Sequence, residues 1–139
     1  MREIKFEAIY KPTGEHIKPI SINFNDNTLT FFNPETGDND WCYFPIDGSS
    51  GDAILRQYIG FKDKNGREIY EGDIVEQELL GNAPLDFGSF IGVVRFIDGT
   101  YMIENAEGTF GVELFSETNP NEVIGNIYEN SSLLEGDLE

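Results

Sequence analysis

The fold is decided by residues 55–75, which read LRQYIGFKDKNGREIYEGDIV. An apolar run ends at Phe61, a polar turn surrounds Asn65 and Gly66, and a second short apolar run follows. Asn-Gly flanked by such runs is the strongest short signal for a β-hairpin, and the tight turn that it favours places both residues at positive φ. The stretch therefore predicts a hairpin with a type I′ turn, followed by a strand that opens at Asp73.

Downstream of this hairpin, the chain alternates between short apolar strands and turn residues. The strands are separated by one long link, residues 79–89, and by tight turns at residues 98–99 and 106–108. Five short strands with this order of connections are typical of a small barrel of the SH3-like type. We therefore predict an SH3-like β-barrel over residues 59–130, followed by a flexible acidic tail over residues 131–139. The five predicted strands are residues 73–78, 90–97, 100–105, 109–115 and 123–128.

Upstream of the hairpin, residues 1–58 show the same period of two that marks half-buried strands. Apolar and polar side chains alternate over residues 4–10 and again over residues 20–33. The Asn- and Asp-rich residues 25–27 tolerate a left-handed backbone, so they predict a turn that makes the second segment a hairpin. We predict an all-β protein with little helix, in which residues 1–58 form an N-terminal layer of β-hairpin and sheet.

The segment that joins this layer to the central stretch is aromatic and then rich in glycine and serine. Trp41, Tyr43 and Phe44 are expected to pack in the core, although exposed aromatics on such a fold could also contact a peptide partner or stack on bases. Residues 47–51 are the most linker-like part of the chain and mark a module boundary. Residues 52–56 are predicted as a single helical turn.

Three parts of the chain resemble the YopX family of phage and prophage proteins. They are the central stretch, residues 55–75, the opening residues 1–8 and the ending residues 123–130. The resemblance implies an all-β fold with a barrel of SH3 type and a multimeric tendency, and it implies no particular activity. This chain has a larger excess of acidic residues than the resemblance leads us to expect.

The residues that carry the resemblance also have a physical role in the predicted hairpin and barrel. Glycine at positions 60 and 72 suits places where φ is positive or where a Cβ would clash. The Asp63 carboxylate can cap the Asn65-Gly66 turn, and Asp73 can accept hydrogen bonds from nearby amides. We therefore predict that the motif is architectural. Its residues are Tyr58, Gly60, Asp63, Asn65, Gly66, Tyr70, Gly72, Asp73, Gly125 and Tyr128.

The charge balance disfavours two classes of partner. The chain contains 9 Lys and Arg against 26 Asp and Glu, so its formal net charge is −17. Binding to nucleic-acid phosphates or to an anionic membrane needs basic surface, so we expect neither. Residues 96–139 hold ten acids and no Lys or Arg, which gives solubility or an acidic face for a basic partner.

Cysteine content and the opening residues bear on the compartment. Cys42 is the only cysteine, so an intramolecular disulfide cannot form. The first residues lack the long apolar core of a signal peptide, and no apolar run approaches the length of a membrane helix. We therefore expect the protein in the cytoplasm of a bacterial host.

No residue pattern in the sequence indicates a particular catalytic chemistry. His16 is the only histidine and is expected to be solvated, and Cys42 stands among aspartates that disfavour a thiolate. One His and one Cys cannot build a structural zinc site, and no phosphate-binding loop occurs, so no cofactor is predicted. Glu71 and Asp73 would share a face of an extended strand, which leaves open a carboxylate- or metal-dependent hydrolase, or a ligand-binding domain.

The link between the first two predicted barrel strands is unusually apolar for a loop. A neighbouring subunit would cover its side chains, so we predict a homo-oligomer, with docking of a host or phage protein as the alternative. The predicted function is that of a non-catalytic phage or prophage accessory protein that acts as a protein-interaction or assembly module. The apolar residues of this surface are Leu79, Leu80, Leu85, Phe87 and Phe90.

Overall fold

The computed structural model describes residues 4–45, 52–78, 89–115, 119–130 and 132–135. This part of the chain contains twelve β-strands and one helix of four residues, which confirms the predicted all-β class. The chain divides into two compact units, residues 1–58 and residues 59–139, here called unit 1 and unit 2.

Unit 1 is built from two antiparallel sheets. Strand β1 lies between β2 and the first part of β6, and β4 lies between β3 and β5. The hairpin predicted for residues 20–33 is confirmed as β3 and β4, and Asn27 closes its turn at a φ of 57°. The strands are β1 Phe6–Tyr10, β2 Glu15–Ile17, β3 Ser21–Asn23, β4 Thr28–Asn33, β5 Asp38–Tyr43 and β6 Ala53–Lys62.

The core of unit 1 draws on both of its sheets. Burial of its apolar side chains removes apolar surface from water, which is the main force that holds the two sheets together. Strand β1 is flanked on both sides, and adjacent residues Ala8 and Ile9 are both buried on it. The buried cluster consists of Ala8, Leu29, Phe31, Cys42, Phe44 and Ala53.

The predicted helical turn at residues 52–56 is wrong, because this segment begins the long strand β6. Five consecutive residues of β6 pair with β1, including Ala8 with Leu55, and the Tyr58 amide continues the ladder by donating to the Lys5 carbonyl over 2.8 Å. A single helical turn is costly to nucleate and has little stability by itself. The long-range ladder therefore outweighs the weak local preference.

Unit 2 contains an antiparallel five-stranded sheet with the order β11-β10-β9-β8-β12. The last strand lies beside the first, which is consistent with an SH3-like barrel. Each strand lies within two residues of its predicted bounds. The elements are the end of β6, β7 Glu68–Tyr70, β8 Asp73–Glu78, β9 Ser89–Ile97, β10 Thr100–Glu104, β11 Gly111–Glu113, β12 Asn121–Asn126 and α1 Ser132–Glu135.

The type I′ turn lies at a different hairpin from the predicted one. Gly66 has a φ of +81°, but Asn65 stays outside the left-handed region. The Asp63 carboxylate accepts the Asn65 amide over 2.9 Å, which stabilises a turn that needs only one left-handed residue. In contrast, Asp98 and Gly99 both have positive φ, at 51° and 83°, between the paired ends of β9 and β10.

The core of unit 2 lies on the inner side of this sheet and includes residues from β6 and β7. Its largest fully buried side chains are Ile69, Ile74, Ile103 and Leu114. Helix α1 falls within the segment predicted as an acidic tail. Among the described residues, no helix has the length and apolar character needed to cross a membrane. The buried cluster consists of Ile59, Ile69, Val75, Val94, Tyr101, Ile103, Leu114 and Val123.

Candidate functional site

The carboxylate of Asp63 organises the central hairpin. Its Oδ1 accepts the backbone N–H groups of Asn65 and Arg67, each over 2.9 Å. Its Oδ2 accepts the N–H of Val123, 60 residues away on β12, also over 2.9 Å. The Asp63 side chain is buried; its bond to Val123 is buried as well, so water competes least there, and its two turn bonds are partly buried. One carboxylate therefore caps the turn and ties it to the last barrel strand.

Glu71 and Asp73, the two acids that the sequence offered as a hydrolase or metal site, have different surroundings. Asp73 is buried, and its Oδ2 accepts the Tyr70 amide over 2.8 Å, which closes the turn between β7 and β8. Burial raises the pKa of the Glu71 carboxyl. The Tyr70 hydroxyl donates to Glu68 over 2.9 Å. Asp73 thus stabilises the turn by accepting a hydrogen bond from a backbone amide, which is a common role of Asp in turns.

Among the described ranges, no group of three or more His, Cys, Asp or Glu side chains could hold a metal ion. A divalent cation needs several oxygen ligands gathered around one point. The carboxylates in this part of the chain are spread over many turns and strand edges instead.

Three motif glycines give the backbone freedom or room that a larger residue would remove. Gly60 and Gly72 have φ values of +89° and +87°, and a Cβ on Gly72 would lie 2.9 Å from Cε2 of Tyr128. A Cβ on Gly125 would lie 2.7 Å from Oδ1 of Asn130. The segment that follows β12 therefore packs directly on Gly72 and Gly125.

Several charged groups of unit 1 are engaged with one another. Nδ1 of His16, predicted to be solvated, lies 2.8 Å from Oε1 of Glu7, and the same oxygen accepts from Nη2 of buried Arg56 over 2.6 Å. The Nζ of Lys5 lies 5.4 Å from the ring centroid of Tyr58. The Glu7 carboxylate thus connects β1 to β2 through His16 and to β6 through Arg56, and its contact with Arg56 is an ion pair.

The apolar loop predicted as an interaction surface is described only at its end. Leu79, Leu80, Leu85 and Phe87 lie outside the described residues. Phe90, at the start of β9, packs against the unit 2 core, and its ring contacts that of Phe110 at a centroid distance of 5.4 Å. Phe90 therefore contributes to the packing of its own unit.

An exposed aromatic surface lies where the sequence predicted core. Trp41 and Tyr43 are 57% and 51% exposed on β5, and their rings meet edge to face at 5.3 Å. Phe32, on β4, is 55% exposed, whereas Phe44 is buried as predicted. We call Phe32, Trp41 and Tyr43 the tryptophan face. The alternation of β5 separates Trp41 and Tyr43 from Cys42, and the structure buries Cys42 and exposes the two rings.

A second exposed aromatic surface belongs to unit 2. The rings of Phe61 and Phe115 lie 4.8 Å apart, Phe115 lies 6.2 Å from Tyr101, and Tyr101 lies 5.0 Å from Phe96. Tyr101 is buried, but Phe61 and Phe115 are each 40% exposed and Phe96 is 57% exposed. We call these four rings the aromatic row. The sequence interpretation missed it, because its members come from four separate segments.

Cys42 lies in the unit 1 core and is not arranged as a nucleophile. Burial, with smaller contributions from Asp52 and Asp40, raises the pKa of its thiol to about 11. The thiolate is the reactive form, so the folded protein holds Cys42 in its inert state.

We expect Cys42 to react with a thiol-specific disulfide reagent near neutral pH at least about a hundredfold more slowly in the folded than in the urea-unfolded protein. Because the folded state retains the proton, stability is full below the unfolded thiol pKa and falls as pH rises from about 9 toward about 11. Denaturation midpoints across this range, with Cys42→Ala as the control, measure the effect. Rapid labelling of the folded protein would contradict the assignment.

The fold and surfaces define a two-unit, all-β protein with exposed aromatic rings, in which Asp63 and Asp73 bind backbone amides. A family model described as YopX protein matches residues 2–135, so the chain belongs to the YopX family. The sequence matches none of the curated proteins with which it was compared.

Two solved structures share the fold. Protein EF1440 from Enterococcus faecalis is 23% identical with a TM-score of 0.58, over 96% of this chain and 99% of that chain. Protein yopX from Bacillus subtilis is 18% identical with a TM-score of 0.51, with the same two coverages. At these identities the likeness concerns the fold alone.

Proposed function

We propose that this YopX-family chain is a non-catalytic accessory protein of a phage or prophage, which acts as an assembly module by associating with copies of itself through the aromatic row. The observation that carries the proposal is the partial exposure of three phenylalanine rings of that row. A contiguous apolar patch on a small protein commonly marks a protein-interaction site. The single, buried cysteine fits the reducing cytoplasm of a bacterial host.

Two features support a role without catalysis. The Asp73 carboxylate holds the Tyr70 amide, and Asp63 holds three backbone amides, so both are engaged by the fold itself. Catalytic acids and bases instead need a cleft and access to substrate. The net charge of −17 disfavours nucleic acid as the partner of the module.

Charge opposes self-association and also makes it testable. Two copies with a net charge of −17 repel each other, but salt screens this repulsion beyond about 8 Å at physiological ionic strength. Apolar contacts between the rows are not weakened in the same way, and acids can remain at the rim of an interface. We therefore expect association to tighten as salt concentration rises.

Sedimentation at micromolar concentration in low and high salt tests the proposal. The wild type is expected to sediment above the 15.7 kDa of one chain, increasingly so in high salt. Phe96→Ser and Phe61→Ser should each weaken association by about tenfold, because well-packed aromatic anchors dominate such interfaces.

Ile4→Ser is the matched control, since Ile4 is 80% exposed and belongs to unit 1. It should leave the sedimentation unchanged. A single-chain mass at both salt concentrations would overturn the proposal, as would association that the Phe96 and Phe61 variants leave intact.

A further inference from the structure

A cavity of about 190 Å³ lies within unit 1, between the hairpin of β1 and β2 and the turn that follows β4. Tyr10 and Phe31 form its aromatic wall, with their ring centroids 5.3 Å apart. Pro12 and Pro34 line it from the two turns. The volume lies below that of a drug-sized pocket, so it suits one small ligand and not an extended peptide.

Carboxylates lie on the same side of the two sheets as these rings. Glu15 is paired with Tyr10 across β1 and β2, and directly opposite residues share one side of a sheet. Asp40 is paired in the same way with buried Phe31, on the side of the sheet opposite the tryptophan face. Glu35 lines the cavity from the turn after β4. The acids and the aromatic wall therefore face the same space.

The electrostatics of Tyr10 confirm that negative charge surrounds this wall. Burial is the largest cause that raises the pKa of the Tyr10 hydroxyl, and Asp52, Cys42, Asp40 and Glu35 raise it further. Because such effects fall with distance, these groups lie near the ring. Of the described residues that line the cavity, none is Lys, Arg or His. The cavity thus combines an apolar wall with a negative potential.

These features favour an organic cation over a metal ion. Within the described ranges, no three His, Cys, Asp or Glu side chains are grouped so that they could hold a metal ion. A cation on an apolar stem needs no such cage of ligands. Aromatic rings attract both its stem and its positive end, and a carboxylate forms a charge-assisted hydrogen bond with its N–H groups.

We propose that this cavity binds a small organic cation, an alkylguanidinium or alkylammonium, with its stem against Tyr10 and Phe31 and its charged end between Glu15 and Glu35. The site belongs to unit 1 and goes beyond self-association through the aromatic row of unit 2. A guanidinium is the better head group, because it is planar, weakly hydrated and stacks on aromatic rings.

Butylguanidinium is the probe, and chemical-shift changes of the backbone amides of an isotope-labelled sample report where it binds. We expect saturable shifts in β1, in β2 and in the turn after β4. Butylurea has the same shape without the charge, and methylguanidinium has the charge without the stem, so each should bind at least about tenfold more weakly. Absence of saturable shifts with butylguanidinium, or equal binding of either analogue, would overturn the proposal.

Glu15→Gln and Glu35→Gln test the carboxylates without disturbing the turns, because the turn bonds of both residues are made by their backbone amides. Each variant should weaken the binding of butylguanidinium by about threefold. Asp26→Asn is the matched control, since it removes one negative charge from the turn at the other end of β4 and should leave the affinity unchanged. No loss in the two Gln variants, or an equal loss in all three, would show general attraction to an acidic protein and overturn the site.

A third probe decides the source of the cation. Arginine with an acetylated N-terminus and an amidated C-terminus carries the same head group as a partner protein would present it. We expect it to bind at least about threefold more weakly than butylguanidinium, because the cavity is small for the added backbone. Equal or tighter binding of the blocked arginine would assign the cavity to a side chain of a partner protein and overturn the small-molecule proposal.

Discussion

Asp63→Ala is expected to lower the free energy of unfolding of unit 2 by about 3–5 kcal/mol. The carboxylate is 8% exposed and accepts three backbone N–H groups, those of Asn65, Arg67 and Val123. Alanine removes all three acceptors at once. The Val123 amide is buried and costs about 1–3 kcal/mol when left without an acceptor, and the partly buried bonds to Asn65 and Arg67 add about 1 kcal/mol each. The hairpin turn and its link to β12 are weakened together.

Urea denaturation followed by far-UV circular dichroism measures this loss. Asp63→Asn keeps one carbonyl oxygen as an acceptor, so about half of the destabilisation is expected. Glu107→Ala, at an exposed turn position, controls for the removal of one negative charge and should change stability by less than about 0.5 kcal/mol. A loss below about 1 kcal/mol for Asp63→Ala would show that water replaces the carboxylate and that its bonds are not decisive.

Gly66→Val is expected to destabilise the protein by about 1–3 kcal/mol. Gly66 has a φ of +81°, and its amide donates to the Asp63 carbonyl over 3.0 Å to close the turn. A β-branched side chain strongly resists this left-handed conformation. No atom lies within 4 Å of a Cβ built at Gly66, so the cost comes from the backbone and not from a clash.

The substitution series at position 66 separates backbone strain from side-chain size. Gly66→Asn should cost less than Gly66→Ala, although asparagine is larger, because asparagine tolerates the left-handed region. Thermal or chemical denaturation gives the order of stabilities. A series that follows side-chain volume would contradict the strain argument.

Local patterns were sufficient for most of the strands. The five barrel strands and the hairpin at residues 20–33 were predicted because alternation and turn residues act over a few neighbours. The capping role of Asp63 in its own turn was also readable, since the groups that it binds there lie within four residues. The bond of Asp63 to the Val123 amide could not be predicted from the sequence, because 60 residues separate the two partners.

The structure departs from the local preference at two places. Residues 52–56 had a weak helical signal, yet pairing with β1 made them the start of β6. Asn65-Gly66 has the sequence of a type I′ turn, yet only Gly66 adopts positive φ, while Asp98 and Gly99 both do so. The long-range ladder with β1 accounts for the first case, and the bond from the Asn65 amide to the Asp63 carboxylate, two residues away, accounts for the second.

The sequence by itself determined the all-β class, the positions of the five barrel strands along the chain and the alternation of side chains along them. Tertiary structure decided which side of each strand is covered. On β5 the alternation separates Cys42 from Trp41 and Tyr43, but it does not say which set faces the core. Packing of the two unit 1 sheets covers Cys42 and leaves both rings exposed, and the aromatic row likewise exists only because folding brings Phe61, Phe96, Tyr101 and Phe115 together. Burial depends on the neighbouring sheet, and a pattern of period two contains no information about that neighbour.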